Sequence, residues 1–436
     1  MNYTKLFLRK LMGVDIVKVF SLNAMATFIR MLAGMISVKI VALIIGPAGI
    51  ALLGQLNNFN SILLGLSNGG ISSGITKYVA EYKEDEYLTK KYLSNALRIT
   101  MICSFIVAII LIVGCKQLSE LILLSNEYYY VFIVFGLTIL LYSLNGLLIS
   151  VLNGYKQFKK YVEINVVGSL FGLVYSVCLV YFWGLPGALI NAVTFQSIVF
   201  FATLWMCRKQ TWLRKEYFKE KFDNAVTKQY FGYSLMTLTT LALFPISQLI
   251  LRGYVISEIS ATDAGIWEGM NRVSGTYLSV ITTALSVYYL PRLSEIVDNK
   301  DLRNEIFKCF KFIIPLLFLI GISIYVGRNF IIWLLFTPDF QPMENLFVWQ
   351  LCGDLLKISS WMLAYIMVAK AQTKMFITTE IVFGFTYLLS CFICMKFNGV
   401  VGLTQGYLIN YILYMTAMCI LFRKFLVYKS PNNASK

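Results

Sequence analysis

Charged side chains stand inside long apolar stretches of this sequence, where a charge is costly. An isolated charge at the centre of a bilayer costs roughly 3 kcal/mol on insertion scales, so it is kept either in a structural ion pair or to line a hydrated path. Bases outnumber acids here, which predicts a net positive, hydrated cavity suited to an anionic group such as phosphate. The bases are Arg30, Lys39, Arg272 and Lys357, and the acids are Glu268 and Asp354.

Each of these acids has a base one helical turn away. Glu268 precedes Arg272 by four residues and Asp354 precedes Lys357 by three, and both spacings place the two side chains on one helix face. Because the chain contains no His, a proton coupled to transport would have to be carried by one of the two carboxylates. Structural pairing and coupling to a proton or sodium both stay open for these acids. No metal site and no cofactor is expected.

The stretch VWQLCGDLLK, residues 348–357, combines such a pair with further polar and aromatic groups. Gln350, Asp354, Lys357 and Trp361 share one face at helical spacing, and the indole of Trp361 can stack on a sugar ring. Two interpretations remain: Asp354 positions Lys357, or both side chains contact a substrate directly.

Uncharged polar residues extend the pattern into stripes at a period of 3.6 residues. A stripe indicates either hydrogen bonding between helices or the lining of a water-filled path. We expect the cavity residues to be Arg30, Lys39, Asn57, Asn60, Asn68, Gln248, Arg252, Arg272, Lys357 and Trp361, with Glu268 and Asp354 as ion-pair or coupling residues. The four stripes are Asn23, Thr27, Arg30, Gly34 and Ser37; Asn57, Asn60, Ser61, Asn68 and Ser72; Ser234, Thr237, Pro245, Gln248 and Arg252; and Glu268, Arg272, Gly275, Ser279, Thr282 and Ser286.

The elements that carry these residues are apolar stretches long enough to cross a membrane. The chain has 436 residues, of which 58% are hydrophobic and 14% charged, and a spanning helix needs about 20 mostly apolar residues. The sequence therefore predicts an all-α polytopic membrane protein. Its twelve predicted spans are 17–45, 50–76, 92–114, 130–152, 161–183, 188–207, 230–254, 264–290, 308–327, 343–369, 376–395 and 402–422.

The net charge of +16 reports topology when its distribution along the chain is followed. Thirty of the 38 Lys and Arg residues fall in the two tails and in alternate loops, and four (Lys116, Arg252, Arg328 and Lys396) fall on the opposite side. This asymmetry predicts that both termini are cytoplasmic. It also argues against a nucleic-acid partner, and the expected surroundings are a lipid bilayer.

A long basic segment near the middle of the chain divides the twelve spans into six and six. We expect an N-terminal lobe at 1–207, a cytoplasmic basic linker at 208–229 and a C-terminal lobe with a cytoplasmic tail at 230–436. The two halves echo each other, since SLNAMAT at 21–27 resembles SLMTLTT at 234–240, and PAGIALLGQ at 47–55 resembles DAGIWEGMN at 263–271. An even number of spans per half predicts a parallel repeat, as in duplicated transporters.

Three segments resemble the Wzx flippases, and among them the flippases of enterobacterial common antigen, within the multidrug/oligosaccharidyl-lipid/polysaccharide exporter superfamily. They are GPAGIALLGQLNNFNSILLGLSNGGISSGITKYVAEY, DAGIWEGMNRVSGTYLSVITTALSVYYLPRLSEI and VWQLCGDLLKISSWMLAYIMVAKA. The resemblance implies a two-lobed, MATE-like protein of the bacterial inner membrane that moves undecaprenyl-pyrophosphate-linked oligosaccharide, of the O-antigen or common-antigen type, to the periplasmic leaflet. By matching segments it carries over Arg30, Lys39, Arg252, Asp354 and Lys357. Gly275 departs from the family, which has an acidic residue there, while Arg272 adds a base nearby.

The resemblance implies alternating access through a cationic central cavity, with the glycan polymerase and the chain-length regulator as possible partners. The sequence argues against two other functions. A drug antiporter of the same superfamily is expected to have an acidic cavity, whereas the charges here are mostly basic. A membrane polymerase or glycosyltransferase is expected to have a large outer loop or an acidic metal motif, and the predicted outer loops are short. The sequence therefore favours a transporter over an enzyme.

Overall fold

The computed structural model describes residues 3–296, 298–370 and 372–423, and its secondary structure there is helical, with no strand. The predicted all-α class is confirmed. The α-helices are α1 (Tyr3–Ser67), α2 (Ser72–Tyr82), α3 (Glu86–Val113), α4 (Cys115–Leu123), α5 (Tyr129–Gly154), α6 (Phe158–Cys207), α7 (Asn224–Glu258), α8 (Ala261–Ala284), α9 (Leu290–Glu295), α10 (Asn299–Val326), α11 (Arg328–Leu335), α12 (Phe347–Ala369), α13 (Thr373–Asn398) and α14 (Val401–Leu421).

Two of these helices contain a sharp kink that divides them into two predicted spans each. The kink of α1 is at Gly46 (φ 65°) and that of α6 is at Gly184 (φ 58°). Pro47 and Pro186 follow the kinks, where the first turn of the next helical segment leaves an N–H unused and so tolerates proline. With both helices divided and the four short helices α2, α4, α9 and α11 set aside, the helical segments match the twelve predicted spans.

Length and hydropathy support a multi-pass membrane protein. Within the described residues, eight helices are long and apolar enough to cross a membrane, and two of them, Ile29–Ser67 and Phe158–Cys207, each hold two predicted spans. The two predicted spans outside these eight fold as α8 and α14. Polar side chains within α8 and α14 lower their mean hydropathy.

The chain divides into two compact units. The N-terminal unit comprises Met1–Ile45 and Leu52–Ile246, and the C-terminal unit comprises Gly46–Ala51 and Ser247–Lys436. Gly46–Ala51 joins the C-terminal unit, in which a Cβ on Gly265 would lie 1.8 Å from the carbonyl oxygen of Pro47. The lobe boundaries at residues 207 and 230 remain a prediction.

Turns of matching geometry recur in the two units. Gly184, in GLPG, has φ 58° and ψ −131°, and Gly399, in GVVG, has φ 53° and ψ −136°, a backbone conformation that glycine adopts at little cost. Gly114 (φ −88°, ψ 12°) and Gly327 (φ −84°, ψ 7°) each separate a long helix from a short one. The helix pairs α5–α6 and α12–α13 have connections of equal length. These matches confirm the duplication predicted from the sequence echoes.

The segment between α6 and α7 is docked on the start of α3 within the N-terminal unit. The hydroxyl of Ser94 donates to the carbonyl of Tyr217, and the side-chain oxygen of Asn95 accepts from the backbone N–H of Asp223. Lys91 forms an ion pair with Asp223. The hydrogen bond that the Lys91 ammonium donates to Asp223 is the main cause that lowers the pKa of this carboxyl below its usual value. The long basic segment is therefore held by specific contacts.

Candidate functional site

The N-terminal unit contains a polar cavity of about 510 Å³ between α1, α5 and α6. Arg30 lines it as the one charged residue, and no carboxylate belongs to the described residues around it. Its polar lining comes mainly from amides and hydroxyls. The amides are Asn145, Asn165, Asn191 and Gln196, and the hydroxyls are Ser37, Tyr142, Ser169 and Ser176.

Small residues keep this cavity open. Gly34 lies on the stripe of α1 that carries Arg30, and a Cβ on it would meet no heavy atom within 4 Å. Gly168 on α6 lines the cavity too, and its Cβ would only reach ordinary contact with Val199 at 3.5 Å. The stripe of α1 therefore faces a polar space, at least from Arg30 to Ser37.

Some polar atoms of the cavity amides form hydrogen bonds within the protein, and others have no hydrogen-bond partner among the described residues. Asn145 donates from Nδ2 to Oε1 of Gln196 at 2.8 Å, and Asn165 donates to the carbonyl of Tyr161 at 2.8 Å. The Oδ1 atoms of Asn145 and Asn191 are buried and accept no hydrogen bond from the described residues. Such buried acceptors are rare in native proteins, since leaving one unsatisfied costs about 1–3 kcal/mol.

The other predicted residues of the N-terminal unit lie outside this cavity. Lys39 is half-buried and Asn57 is exposed. Asn60 is buried, and its Nδ2 donates to the carbonyl of Ala192 at 3.0 Å. Asn68 directly follows α1, where Gly69 and Gly70 have φ values of 62° and 66° and the helix ends. Of the predicted set in this unit, the structure brings Arg30 to the cavity.

In the C-terminal unit, one carboxylate bridges two guanidinium groups. Glu268 accepts from Nη2 of Arg252 at 2.5 Å and from Nε of Arg272 at 3.0 Å. The pair predicted from the four-residue spacing is confirmed. Arg252 is 1% exposed in α7, with its guanidinium 5.5 Å from the ring centre of Trp267. Burial of this Arg is made tolerable by the carboxylate on α8.

The cluster of Arg252, Glu268 and Arg272 carries a net positive charge and contains one guanidinium nitrogen without a hydrogen-bond partner among the described residues. Nη2 of Arg272 is buried and has no hydrogen-bond partner among the described residues. Gln248, one turn before Arg252 on α7, is 3% exposed, and its Oε1 likewise has no partner there. Two guanidinium groups on one carboxylate can hold an anion, because one positive charge is left over.

Asp354 is the centre of a second buried cluster, with donors from three helices. It is 1% exposed and accepts hydrogen bonds from Ser274 and Tyr277 of α8 at 2.5 Å each, from Gln350 of α12 at 3.2 Å and from Tyr407 of α14 at 2.7 Å. Four donors satisfy most of the acceptor positions of a carboxylate. The arrangement therefore stabilises the ionised form in a buried site.

Lys357, one turn after Asp354, lies among aromatic rings. Its ammonium is 5.0 Å from the ring centre of Trp361 and 5.7 Å from the ring centres of both Tyr407 and Tyr411. These distances permit cation–π attraction, which helps to hold the ammonium in place. Pairing of Lys357 with Asp354, and a direct contact of Trp361 with sugar, remain predictions.

The sequence reasoning missed several polar residues that the fold brings together. The four cavity amides lie on α5 and α6, outside the four stripes. In the C-terminal unit, Glu380 on α13 was left out of the count of acids, and it accepts a hydrogen bond from Tyr414 at 3.3 Å. An amide or carboxylate inside an apolar stretch is the sequence feature that could have identified these residues. A single polar residue, however, does not form a stripe at helical spacing.

Comparison with solved structures defines the class of fold. The chain is similar to an inward-facing multidrug resistance MATE family transporter of the MOP superfamily, with a TM-score of 0.74 and 12% identity over 92% of this chain and 96% of that one. It is also similar to the MATE transporter VcmN of Vibrio cholerae in its bent form, with a TM-score of 0.65 and 16% identity over 94% and 96% of the chains. The predicted MATE-like fold is confirmed.

Sequence comparison then gives the family. The chain belongs to the polysaccharide biosynthesis protein family, whose model matches residues 16–297. It is similar to the lipid III flippase of Escherichia coli (strain K12), at 27% identity over 400 residues that cover 92% of this chain and 96% of the relative. The lipid III flippase of Shigella flexneri matches equally well. The predicted resemblance to flippases of lipid-linked oligosaccharides is confirmed.

Proposed function

We propose that this protein is a flippase that moves an undecaprenyl-pyrophosphate-linked oligosaccharide across the bacterial inner membrane by alternating access. The similarity to lipid III flippases and membership of the polysaccharide biosynthesis family support this function. The pyrophosphate and the first sugars would enter polar cavities of the protein. The prenyl chain would stay in lipid, because its transfer into a polar cavity would be unfavourable.

The observation that carries the proposal is the chemistry of the N-terminal cavity. One guanidinium, from Arg30, stands among amides and hydroxyls in a space of about 510 Å³. A cationic drug would require a carboxylate here, and the described lining has none. Positive charge among neutral polar groups favours a pyrophosphate-linked glycan over a cationic drug.

The C-terminal unit offers two further groups for this function. Arg272, with a buried donor that has no partner among the described residues, is the proposed phosphate-binding residue of this unit. Asp354 is the candidate coupling residue for a proton or sodium, and Glu268 is the alternative. The carboxylate of Asp354 would release or retain a cation according to how its four neutral hydrogen-bond donors rearrange.

Orientation, partners and lobe limits belong to the same proposal. The bias of basic residues supports cytoplasmic termini and a cytoplasmic linker at 208–229. On this basis the lobes extend over 1–207 and 230–436. The glycan polymerase and the chain-length regulator are proposed partners, since they would receive the flipped product.

Complementation tests the function directly. The gene is expressed in one strain that lacks its common-antigen flippase and in another that lacks its O-antigen flippase, and surface glycan is measured. We expect rescue of at least one strain. Rescue of neither, with the protein present in the membrane, would refute the proposal.

Variants in the rescued strain test the two proposed ligands. Arg30→Ala and Arg272→Ala should each abolish surface glycan without lowering the amount of protein in the membrane. Lys116→Ala is the matched control, because Lys116 is an exposed base outside both clusters. Normal glycan in both Arg variants would exclude them as pyrophosphate ligands.

A further inference from the structure

Equivalent positions of the two units carry different chemistry. The paired turns at Gly184 and Gly399, and the equal connections before them, align α5 with α12 and the two segments of α6 with α13 and α14. Neutral hydrogen-bonding groups in the N-terminal unit then match charged or aromatic groups in the C-terminal unit. Tyr142, Asn165 and Gln196 correspond to Lys357, Glu380 and Tyr411.

These C-terminal positions are engaged in interactions of their own. The ammonium of Lys357 lies 5.7 Å from the ring centre of Tyr411, and Glu380 accepts a hydrogen bond from Tyr414. In the N-terminal unit, all three corresponding residues line the open cavity. Duplication has therefore produced one unit in which these positions carry charged and aromatic groups and another in which they carry neutral groups that line a polar cavity.

We infer that the N-terminal cavity is the recognition site for uncharged sugar residues of the glycan, and binds their hydroxyl and N-acetyl groups through the amides of Asn145, Asn191 and Gln196. This inference rests on the proposed flippase function and assigns its sugar subsite. The pyrophosphate is bound by arginine, and the sugars by amides, so the two parts of the substrate have separate determinants.

Amide side chains suit sugars because each one both donates and accepts hydrogen bonds, as sugar hydroxyls do. The Oδ1 atoms of Asn145 and Asn191 are buried acceptors that the described residues leave unsatisfied, and a sugar hydroxyl would satisfy either one. Phe195 and Tyr142 add aromatic surface to the lining, against which the apolar face of a sugar ring can pack. A volume of about 510 Å³ lies within the usual range of small-molecule sites.

Unsatisfied acceptors oppose folding, so variants can separate a binding role from a structural role. Asn191→Leu replaces an amide by an apolar group of similar size and removes one unsatisfied atom. The double variant Asn145→Leu/Gln196→Met removes both partners of one hydrogen bond together, which leaves neither partner orphaned. Gly168→Ala narrows the cavity from α6, where the added Cβ makes only an ordinary contact with Val199 at 3.5 Å, and alanine is a better helix former than glycine.

The test uses the full chain, purified in lipid nanodiscs, with two probes. One probe is undecaprenyl pyrophosphate without sugar, and the other is the same lipid carrying the glycan of the rescued strain. We expect all three variants to keep a melting temperature at or above that of the wild type and to keep their affinity for the sugar-free lipid. Their affinity for the glycan-bearing lipid should fall at least tenfold, and surface glycan should fall with it. Asn126→Leu, at an exposed amide outside the cavity, should change neither affinity.

Three outcomes would overturn the inference. Unchanged binding of both lipids by the variants would mean that the cavity does not contact the sugars. Equal loss of both affinities would mean that these amides contact the pyrophosphate and not the sugars. A melting temperature below that of the wild type in all three variants would indicate a structural role. Failure of the wild-type chain to rescue either strain would count against the flippase function itself, and so differs from all three.

Discussion

Glu268 should be the most sensitive charged residue for the stability of the C-terminal unit. Its carboxylate forms ion pairs with both Arg252 and Arg272. Glu268→Gln removes the negative charge that these two guanidinium groups share. Arg252 is 1% exposed and cannot turn to water. The substitution therefore takes the bridging carboxylate away from a buried positive charge, which is the costly way to break an ion pair.

The expected loss can be worked out contact by contact. Breaking a buried pair by removal of one partner costs about 3–5 kcal/mol, and this applies to Arg252. The side chain of Arg272 is 20% exposed and four residues away on the same helix, where such a pair contributes roughly 0.3–0.5 kcal/mol. Nearly all of the loss should therefore come from Arg252. The double variant Arg252→Met/Glu268→Gln should recover most of it, because it removes the buried charge as well.

The assay is reversible unfolding in mixed lipid–detergent micelles, with the free energy of unfolding compared across the single and double variants. Glu258→Gln is the control, since Glu258 is exposed on the same pair of helices, and it should stay within about 0.5 kcal/mol of the wild type. A Glu268→Gln protein as stable as the wild type would refute the reasoning. So would a double variant that is no more stable than the single one.

Two further predictions concern packing and the second cluster. Gly187→Ala and Gly402→Ala should each strongly reduce the amount of folded protein, because the added Cβ would lie 2.0 Å and 2.3 Å from a backbone carbonyl oxygen of the preceding helical segment. Gly384→Ala, whose Cβ would meet nothing within 4 Å, should match the wild type when folded protein is measured by size-exclusion chromatography in detergent. Tyr407→Phe removes one of four donors to the buried Asp354 and should lower the free energy of unfolding by about 1–3 kcal/mol. An unchanged unfolding curve for Tyr407→Phe would show that its hydroxyl does not support the carboxylate.

Local pattern alone reached several features of the fold and site. Runs of apolar residues gave the twelve helical segments, and the four-residue spacing gave the Glu268–Arg272 pair, since both depend on contacts within one helix. The stripe on α1 that carries Arg30 followed from helical periodicity.

Contacts between helices were beyond such reasoning. Arg252 meets Glu268 from another helix, and the donors of Asp354 come from α8, α12 and α14. The amides of α5 and α6 give no stripe, and they become a cavity lining only because small residues of α1 and α6 keep the space beside them open. Helical periodicity indicates which residues share one face of a helix, but not which other helix packs against that face.

The sequence by itself determined the class of protein, because hydropathy, the distribution of basic residues and helix-breaking glycines act locally along the chain. It also determined that a few charges would be buried. Only the tertiary structure decided how each charge is compensated and which unit keeps an open polar cavity. The physical reason is that compensation and cavity volume depend on side chains distant in sequence, whose approach is fixed by the packing of helices against one another.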